Sequence, residues 1–270
     1  MMRIAGYMKY YAWKLARRYL GIGQEEGLDS VRKNWEAIGR HDPLWGVLTD
    51  PSKRGGRWDE AEFYATGKAE AARVAEYVRR MAPGHSFGRA LDFGCGVGRL
   101  SFALAEHYGS VDGVDISKDM LHLAEKNNRF GGRVRFTLNT RCVLPFEDGV
   151  FDLVYSNIVL QHMDKKDALG YVREFIRVVR PGGLAVFQAP DGDRGRGEAK
   201  STTPVMTPGG VFTISMNVIP RREVEDAVAG AGGRLLDVVA DGAAGEGFES
   251  ARYCASKDAR FPGGVDRRVA

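Results

Sequence analysis

The stretch Ala90-Leu91-Asp92-Phe93-Gly94-Cys95-Gly96-Val97-Gly98-Arg99-Leu100 is a short apolar run that passes through one acid into three glycines at alternate positions, then into a helix-forming segment. Few chain geometries accept that order. Glycine tolerates the left-handed backbone that other residues avoid, so such a loop turns sharply and brings main chain within contact distance of a bound molecule. A bland turn between strand and helix looks similar, and a second acid further along the chain decides between the two. Asp115 closes the apolar run Val111-Asp112-Gly113-Val114-Asp115-Ile116 and lies 17 residues past Gly98 (115 − 98). One helix and one strand fit in that interval. In a doubly wound fold this places a carboxylate at the carboxyl edge of the neighbouring strand, where it can accept hydrogen bonds from the ribose of a nucleoside lying over the glycine loop.

Hydride-transfer enzymes space their dinucleotide glycines as G-x-G-x-x-G and carry apolar residues before them. Here the third glycine comes one residue early and Asp92 precedes the loop. Further on stand Leu144-Pro145-Phe146-Glu147-Asp148-Gly149-Val150-Phe151-Asp152-Leu153-Val154 and Val178-Val179-Arg180-Pro181-Gly182-Gly183. In this order and spacing the four segments resemble the successive motifs of class I S-adenosylmethionine-dependent methyltransferases, strongly over residues 70 to 190. The resemblance implies S-adenosylmethionine as cofactor. It places Asp92, Gly94, Cys95, Gly96 and Gly98 beside the methionine and ribose parts, with Asp115 and Ile116 at the ribose. Thr140, Arg141 and Cys142 would border the adenine, and Asn157 would stand after the fourth strand. An acid is often found in the family where Thr140 stands, so backbone groups would have to meet the adenine amine here.

Apolar periodicity predicts strands near 88–93, 111–115, 133–138, 151–156 and 183–189, with helices near 98–108, 117–128 and 165–179 between them. Arg180-Pro181-Gly182-Gly183 ends the last of these helices. Pro220 opens a further helix to about 229, and residues 234–240 and 252–256 read as a closing strand pair, one of them antiparallel by the resemblance. The expected fold is α/β, a doubly wound, mostly parallel seven-stranded Rossmann-like sheet. Residues 71–270 would form it, with an acceptor-side insertion at 191–219, and residues 1–70 an amphipathic helix and a helical lid.

With 44% apolar residues over 270 positions the chain can bury a full core. Its three cysteines have neither paired nor metal-like spacing. They read as small buried residues, which points away from a disulfide framework or resident metal and toward a reducing, cytoplasmic setting. A formal charge of +4, with no basic stripe interleaved with aromatics, does not favour nucleic acid as a partner. Residues 1–20 hold Arg3, Lys9, Lys14, Arg17 and Arg18 and no acid, with Ile4, Met8, Tyr11, Leu15 and Tyr19 along one arc. Such a helix either packs on the domain or makes a peripheral contact with an anionic membrane. Lys9 and Lys14 interrupt any signal-peptide core.

Ser30 is a candidate helix cap, and Asp59 with Glu62 makes a second helix start. Trp45, Trp58, Phe63 and Tyr64 suit a lid that excludes water from a cationic donor, or ordinary core packing. A similar tyrosine borders the cofactor in related small-molecule methyltransferases, which singles out Tyr64. An alcohol acceptor keeps its proton at neutral pH and needs a base. His162, just past the fourth strand, is the candidate catalytic residue, expected to titrate near neutrality; the alternative is a histidine that packs the following helix. The insertion begins with Asp191-Gly192-Asp193-Arg194-Gly195, too polar to hold a shape alone. A divalent ion on Asp191, Asp193 and His162, as in some sugar O-methyltransferases, is the less favoured reading of it. The leading functional expectation is methylation of a hydroxyl on a small molecule, glycoside or lipid-linked metabolite. N- or C-methylation is the alternative, ahead of a nicotinamide oxidoreductase or a silent cofactor-binding protein.

Overall fold

The computed structural model describes residues 27–193, 200–207, 210–245 and 247–257. The basic segment 1–20 lies outside the described residues. In chain order the strands are β1 (Arg89–Phe93), β2 (Ser110–Asp115), β3 (Val134–Leu138), β4 (Phe151–Ser156), β5 (Val179–Asp193), β6 (Lys200–Thr207), β7 (Gly210–Asn217), β8 (Arg234–Ala240) and β9 (Phe248–Ser256). The helices longer than a single 3-10 turn are α1 (Leu28–His41), α2 (Pro43–Val47), α3 (Glu60–Met81), α4 (Arg99–Leu104), α5 (Lys118–Asn127), α6 (Lys165–Val178) and α7 (Arg221–Gly230).

Seven strands form one sheet in the order β3-β2-β1-β4-β5-β9-β8. Neighbours from β3 through β5 are parallel, and β9 runs against both β5 and β8. Every residue of β4 is buried, as a central strand covered on both faces requires. On one face α6 presents Ala168, Leu169, Val172, Phe175 and Ile176 at helical spacing, and α7 packs beside it. On the other, Ala71, Val74 and Val78 of α3 meet Leu100 and Leu104 of α4. A Cβ at Gly67 would stand 2.5 Å from the Arg99 carbonyl oxygen, so a residue without a side chain is what lets α3 lie this close to α4.

The sequence expectations meet several differences. β5 starts at Val179, directly after α6, and the Pro181-Gly182-Gly183 segment is taken up as an irregularity inside it: Phe151 faces Val179 while Leu153 faces Leu184. Helix α4 stops at Leu104 and a turn completes the span to 108. Ser30 lies within α1, whose N-cap is Gly27, so it is not the cap. Asp59 does cap α3, its Oδ1 accepting the Glu62 amide at 2.8 Å. The division expected between residues 70 and 71 falls inside α3, a single helix. The polar insertion pairs as a two-stranded antiparallel hairpin, β6 with β7. No helix of the described residues is long and apolar enough to cross a membrane.

Candidate active site

The strand order reverses between β1 and β4, and the loops leaving their carboxyl ends separate there. A cavity of about 500 Å³ opens at this point, within the range of small-molecule sites. The glycine loop and Asp115 line it together with Trp35, His162, Ile214, Met216 and Phe248.

At the loop, Gly94, Gly96 and Gly98 take φ values of +74°, +53° and +82°, the region where only glycine is unstrained. Space is short as well, but the protein itself fills it. A Cβ at Gly94 would come 2.4 Å from Val159, at Gly96 2.9 Å from Val47 of α2, and at Gly98 2.9 Å from Phe102. The Asp115 carboxylate accepts the Gly96 and Ser117 amides, each at 2.8 Å. Burial raises its pKa, while the amides of Ser117, Gly96 and Ile116 favour the charged form. Each oxygen keeps a further lone-pair direction for a hydroxyl. Asp92 is buried behind the loop and accepts Ser101 Oγ–H at 2.6 Å. Burial pushes it up to about 7, against the Ser101 hydrogen bond and the charge of Arg99.

Glu70, on α3, joins this part of the site together. Its Oε1 accepts from Tyr155 Oη at 2.9 Å and Asn157 Nδ2 at 2.8 Å, and its Oε2 from Arg99 Nη2 at 2.9 Å. Arg99 lines the cavity, and its Nε–H, shielded from solvent, has no partner among the described residues. A glycine turn beside a carboxylate with open lone pairs fits a nucleoside, whose ribose hydroxyls would donate to Asp115. Nothing in the sequence separates Glu70 from Glu60, Glu62 or Glu76 on the same helix.

A second part is built around the segment after β4. Ile158 sits at φ +54°, strained for a β-branched residue, and its amide donates to Gln188 Oε1 at 3.1 Å. His162 Nδ1 lies 2.8 Å from the Ser215 carbonyl oxygen on β7; a carbonyl only accepts, so Nδ1 carries the proton. Nε2 lies 3.3 Å from Gln161 Nε2, and Trp35 of α1 packs edge-on at 5.2 Å between ring centroids. Burial pushes His162 down to about 4, against the carbonyls of Ser215 and Ile158. The near-neutral titration expected from its type is therefore not met. Trp35 on one side and the Ser215 carbonyl on the other crowd the ring, which is only partly exposed, to the cavity.

Of the other residues singled out in the sequence, Asp92, Gly94, Cys95, Gly96, Asp115, Ile116 and Asn157 line the cavity. Gly98 shapes the loop from behind, as the N-cap of α4. Tyr64 is not in the lining: its hydroxyl donates to the Val97 carbonyl at 3.3 Å and accepts Asn127 Nδ2 at 3.2 Å. Thr140 and Arg141 are exposed and Cys142 turns its Sγ to Asp167; Asn139, one position earlier, is the residue of that segment in the wall. Asp191 is held by Arg221 at 2.7 Å, and among the described residues no cluster of His, Cys, Asp and Glu could hold a metal ion.

Residues 90–183, from β1 to the start of β5, match the family described as methyltransferase domain. This segment is a methyltransferase domain. The sheet order, with its one antiparallel strand, is that of the class I S-adenosylmethionine-dependent methyltransferase fold. The chain is 28% identical over 179 residues to phosphoethanolamine N-methyltransferase 1 of Zea mays, covering 66% of this chain and 32% of that protein. It is 32% identical over 129 residues to norajmaline N-methyltransferase of Rauvolfia serpentina, covering 44% of each. The chain thus spans a third to under half of the length of these relatives. In structure it is similar to magnesium protoporphyrin IX methyltransferase of Synechocystis with bound SAH, at TM-score 0.58 and 17% identity, covering 84% of this chain and 98% of that one. The family match stops at Gly183, inside β5, so Trp35, Ile214, Met216 and Phe248 of the cavity wall lie outside the matched residues.

Proposed function

We propose that this protein transfers a methyl group from S-adenosylmethionine to a small, largely apolar molecule, chiefly by alignment. One observation carries the reading: a single continuous cavity joins the glycine loop and Asp115 to a wall of Trp35, Ile214, Met216 and Phe248. Asp115 would hold the ribose hydroxyls, and Asn139 would border the base. When bound, the cofactor supplies a sulfonium methyl that an acceptor atom takes as the C–S electron pair returns to sulfur. Helices α1 and α2 cover the site from above, and Val47 and Trp45 exclude water from it.

Such a displacement gains most of its rate from holding the acceptor close and in line. A neutral amine or an activated carbon needs no base for its attack, and the relatives named as N-methyltransferases are consistent with that. Hydroxyl methylation with His162 as base is the second reading; a ring pushed down to about 4 is a weak base for an alcohol. A screen of amines, phenols, hydroxylated glycosides and lipid-linked sugars with labelled donor separates the two. Labelled product from an amine or electron-rich ring is expected. A purified chain that binds neither S-adenosylmethionine nor S-adenosylhomocysteine overturns the proposal.

A further inference from the structure

Helix α2 and the loop after it put Trp45 and Arg54 in the lining of the cavity. The loop is tied down on both sides of Arg54. Before it, Trp45 Nε1 donates to the Asp50 carbonyl at 3.0 Å, Trp58 Nε1 donates to the Leu48 carbonyl at 3.2 Å, and the Asp50 carboxylate accepts the Ser52 amide at 2.8 Å. After it, the Asp42 carboxylate accepts the amides of Gly55 and Gly56. The Arg54 guanidinium carbon lies 4.9 Å from the centroid of the Trp45 ring, which is itself buried. An indole face holds a guanidinium in place while the N–H groups at its edge stay open to an acceptor.

Among the described residues no carboxylate meets those groups. The lining holds the arginines 54 and 99 and the aspartates 92 and 115. Arg99 pairs with Glu70 at 2.9 Å, Asp92 accepts from Ser101, and Asp115 accepts the Gly96 and Ser117 amides. Lys53, the neighbour of Arg54, pairs with Glu62. Arg54 is thus the cation of the described lining without an ion-pair partner. S-adenosylmethionine brings a net positive charge of its own, which Asp115 offsets, so nothing in a donor-bound cavity balances Arg54. A neutral molecule covering Arg54 would strip water from the guanidinium and return nothing, whereas an anion returns charge-assisted hydrogen bonds.

We infer that Arg54 binds an anionic group, a carboxylate or a phosphate, carried by the methyl acceptor. This rests on the methyl-transfer proposal. It narrows the acceptor to an amphiphile: an apolar body against Ile214, Met216 and Phe248, and one negative group that reaches Arg54, which is exposed at the rim. Thr49, on the same segment, also lines the cavity and adds a hydroxyl to this subsite. Like that apolar wall, Trp45 and Arg54 lie outside residues 90–183, in the part of the site that the family match does not cover. The competing ligand for Arg54 is the carboxylate of the donor itself.

The test pairs fragments that differ in charge: 3-phenylpropanoate against 3-phenylpropanamide, and phenyl phosphate against phenol. Each is titrated by ligand-observed NMR into the full chain saturated with S-adenosylhomocysteine, so that the donor's carboxylate is already in place, in wild type, Arg54→Gln and Arg54→Lys. Wild type is expected to prefer the anion of at least one pair by about tenfold, the range of a hydrogen bond between charged groups. The preference should shrink as sodium chloride is raised. Arg54→Gln should abolish it, and Arg54→Lys, which keeps the charge but not the planar fork, should keep part of it. Equal preference in wild type and Arg54→Gln overturns the inference, as does no binding of any fragment at millimolar concentration. S-adenosylhomocysteine affinity, read by calorimetry, should agree within about twofold between wild type and Arg54→Gln. A larger fall puts the donor's carboxylate on Arg54 and overturns the inference as well. Absence of S-adenosylhomocysteine binding in wild type sinks methyl transfer, whereas tight binding without anion preference sinks only the role of Arg54.

Discussion

The Gly96 amide donates to the Asp115 carboxylate at 2.8 Å, tying the loop after β1 to the end of β2. Asp115 therefore shapes the loop as well as presenting oxygens to a ligand. Asp115→Ala should weaken S-adenosylhomocysteine binding by about 1.5–3 kcal/mol, the worth of hydrogen bonds to a charged group. Asp115→Asn, which keeps one acceptor oxygen, should fall between. Calorimetry gives the order; equal affinities in all three would remove Asp115 from the site.

Gly96 holds φ at +53°, and a Cβ placed on it would stand 2.9 Å from Val47. Gly96→Ala should cost about 1–2 kcal/mol of stability from the left-handed backbone alone, with more from the contact. Val47→Ala in the same chain should return the contact part and leave the backbone part. Chemical denaturation of the single and double variants checks this, and full recovery in the double variant would mean the dihedral costs nothing.

Removing Glu70 strands Arg99, whose side chain is only 4% exposed. Glu70→Ala should destabilise the fold by about 3–5 kcal/mol, as breaking a buried pair from one side does. Glu70→Gln keeps both acceptor and shape and should lose less. A drop of under about 1 kcal/mol for Glu70→Ala in urea unfolding would show the network to be idle.

Asp92 and His162 give opposite dependences on pH. Asp92, raised to about 7 by burial, keeps a proton in the fold that the unfolded chain gives up near pH 4. Its contribution to stability therefore falls as pH rises from about 4 to 7. Asp92→Asn should flatten that part of the melting-temperature profile. His162, lowered to about 4, stays neutral in the fold. Its contribution is complete above about 6.5 and is lost as pH falls from there toward 4. An imidazole NMR midpoint near 6.5, or a histidine limb in turnover between pH 6 and 8, would contradict this environment.

The sheet was legible in the sequence because its signals are local: apolar runs of strand length, helical spacing in 165–178, and glycines where φ turns positive. The cofactor end was legible for the same reason, since Asp92 through Gly98 is one contiguous motif. Thr140 to Cys142 were placed one step too far along, because a strand end fixes the position of such a segment but not which of its residues turns inward. Tyr64 lies on the right helix, yet only tertiary packing decides that its hydroxyl meets Val97 and Asn127. Glu70 and Trp35 were missed because their partners are remote. Glu70 and Asn157 are 87 positions apart, and no spacing rule reaches that far. The titration of His162 depends in turn on Trp35 and on β7.

The family match stops at Gly183, partway along β5, and takes in only part of the cavity wall. The loop, both acids and the strained turn at Ile158 fall within the match, while α1 and the hairpin carrying Ile214 and Met216 fall outside. A lineage can thus rebuild the wall that meets the acceptor by drift in surface segments, without touching the residues that receive the donor. Diversity of substrates among descendants of such a chain is then expected to accumulate in α1, the hairpin and the turn before β9. The same division gives the engineer of a new specificity a short set of segments to vary.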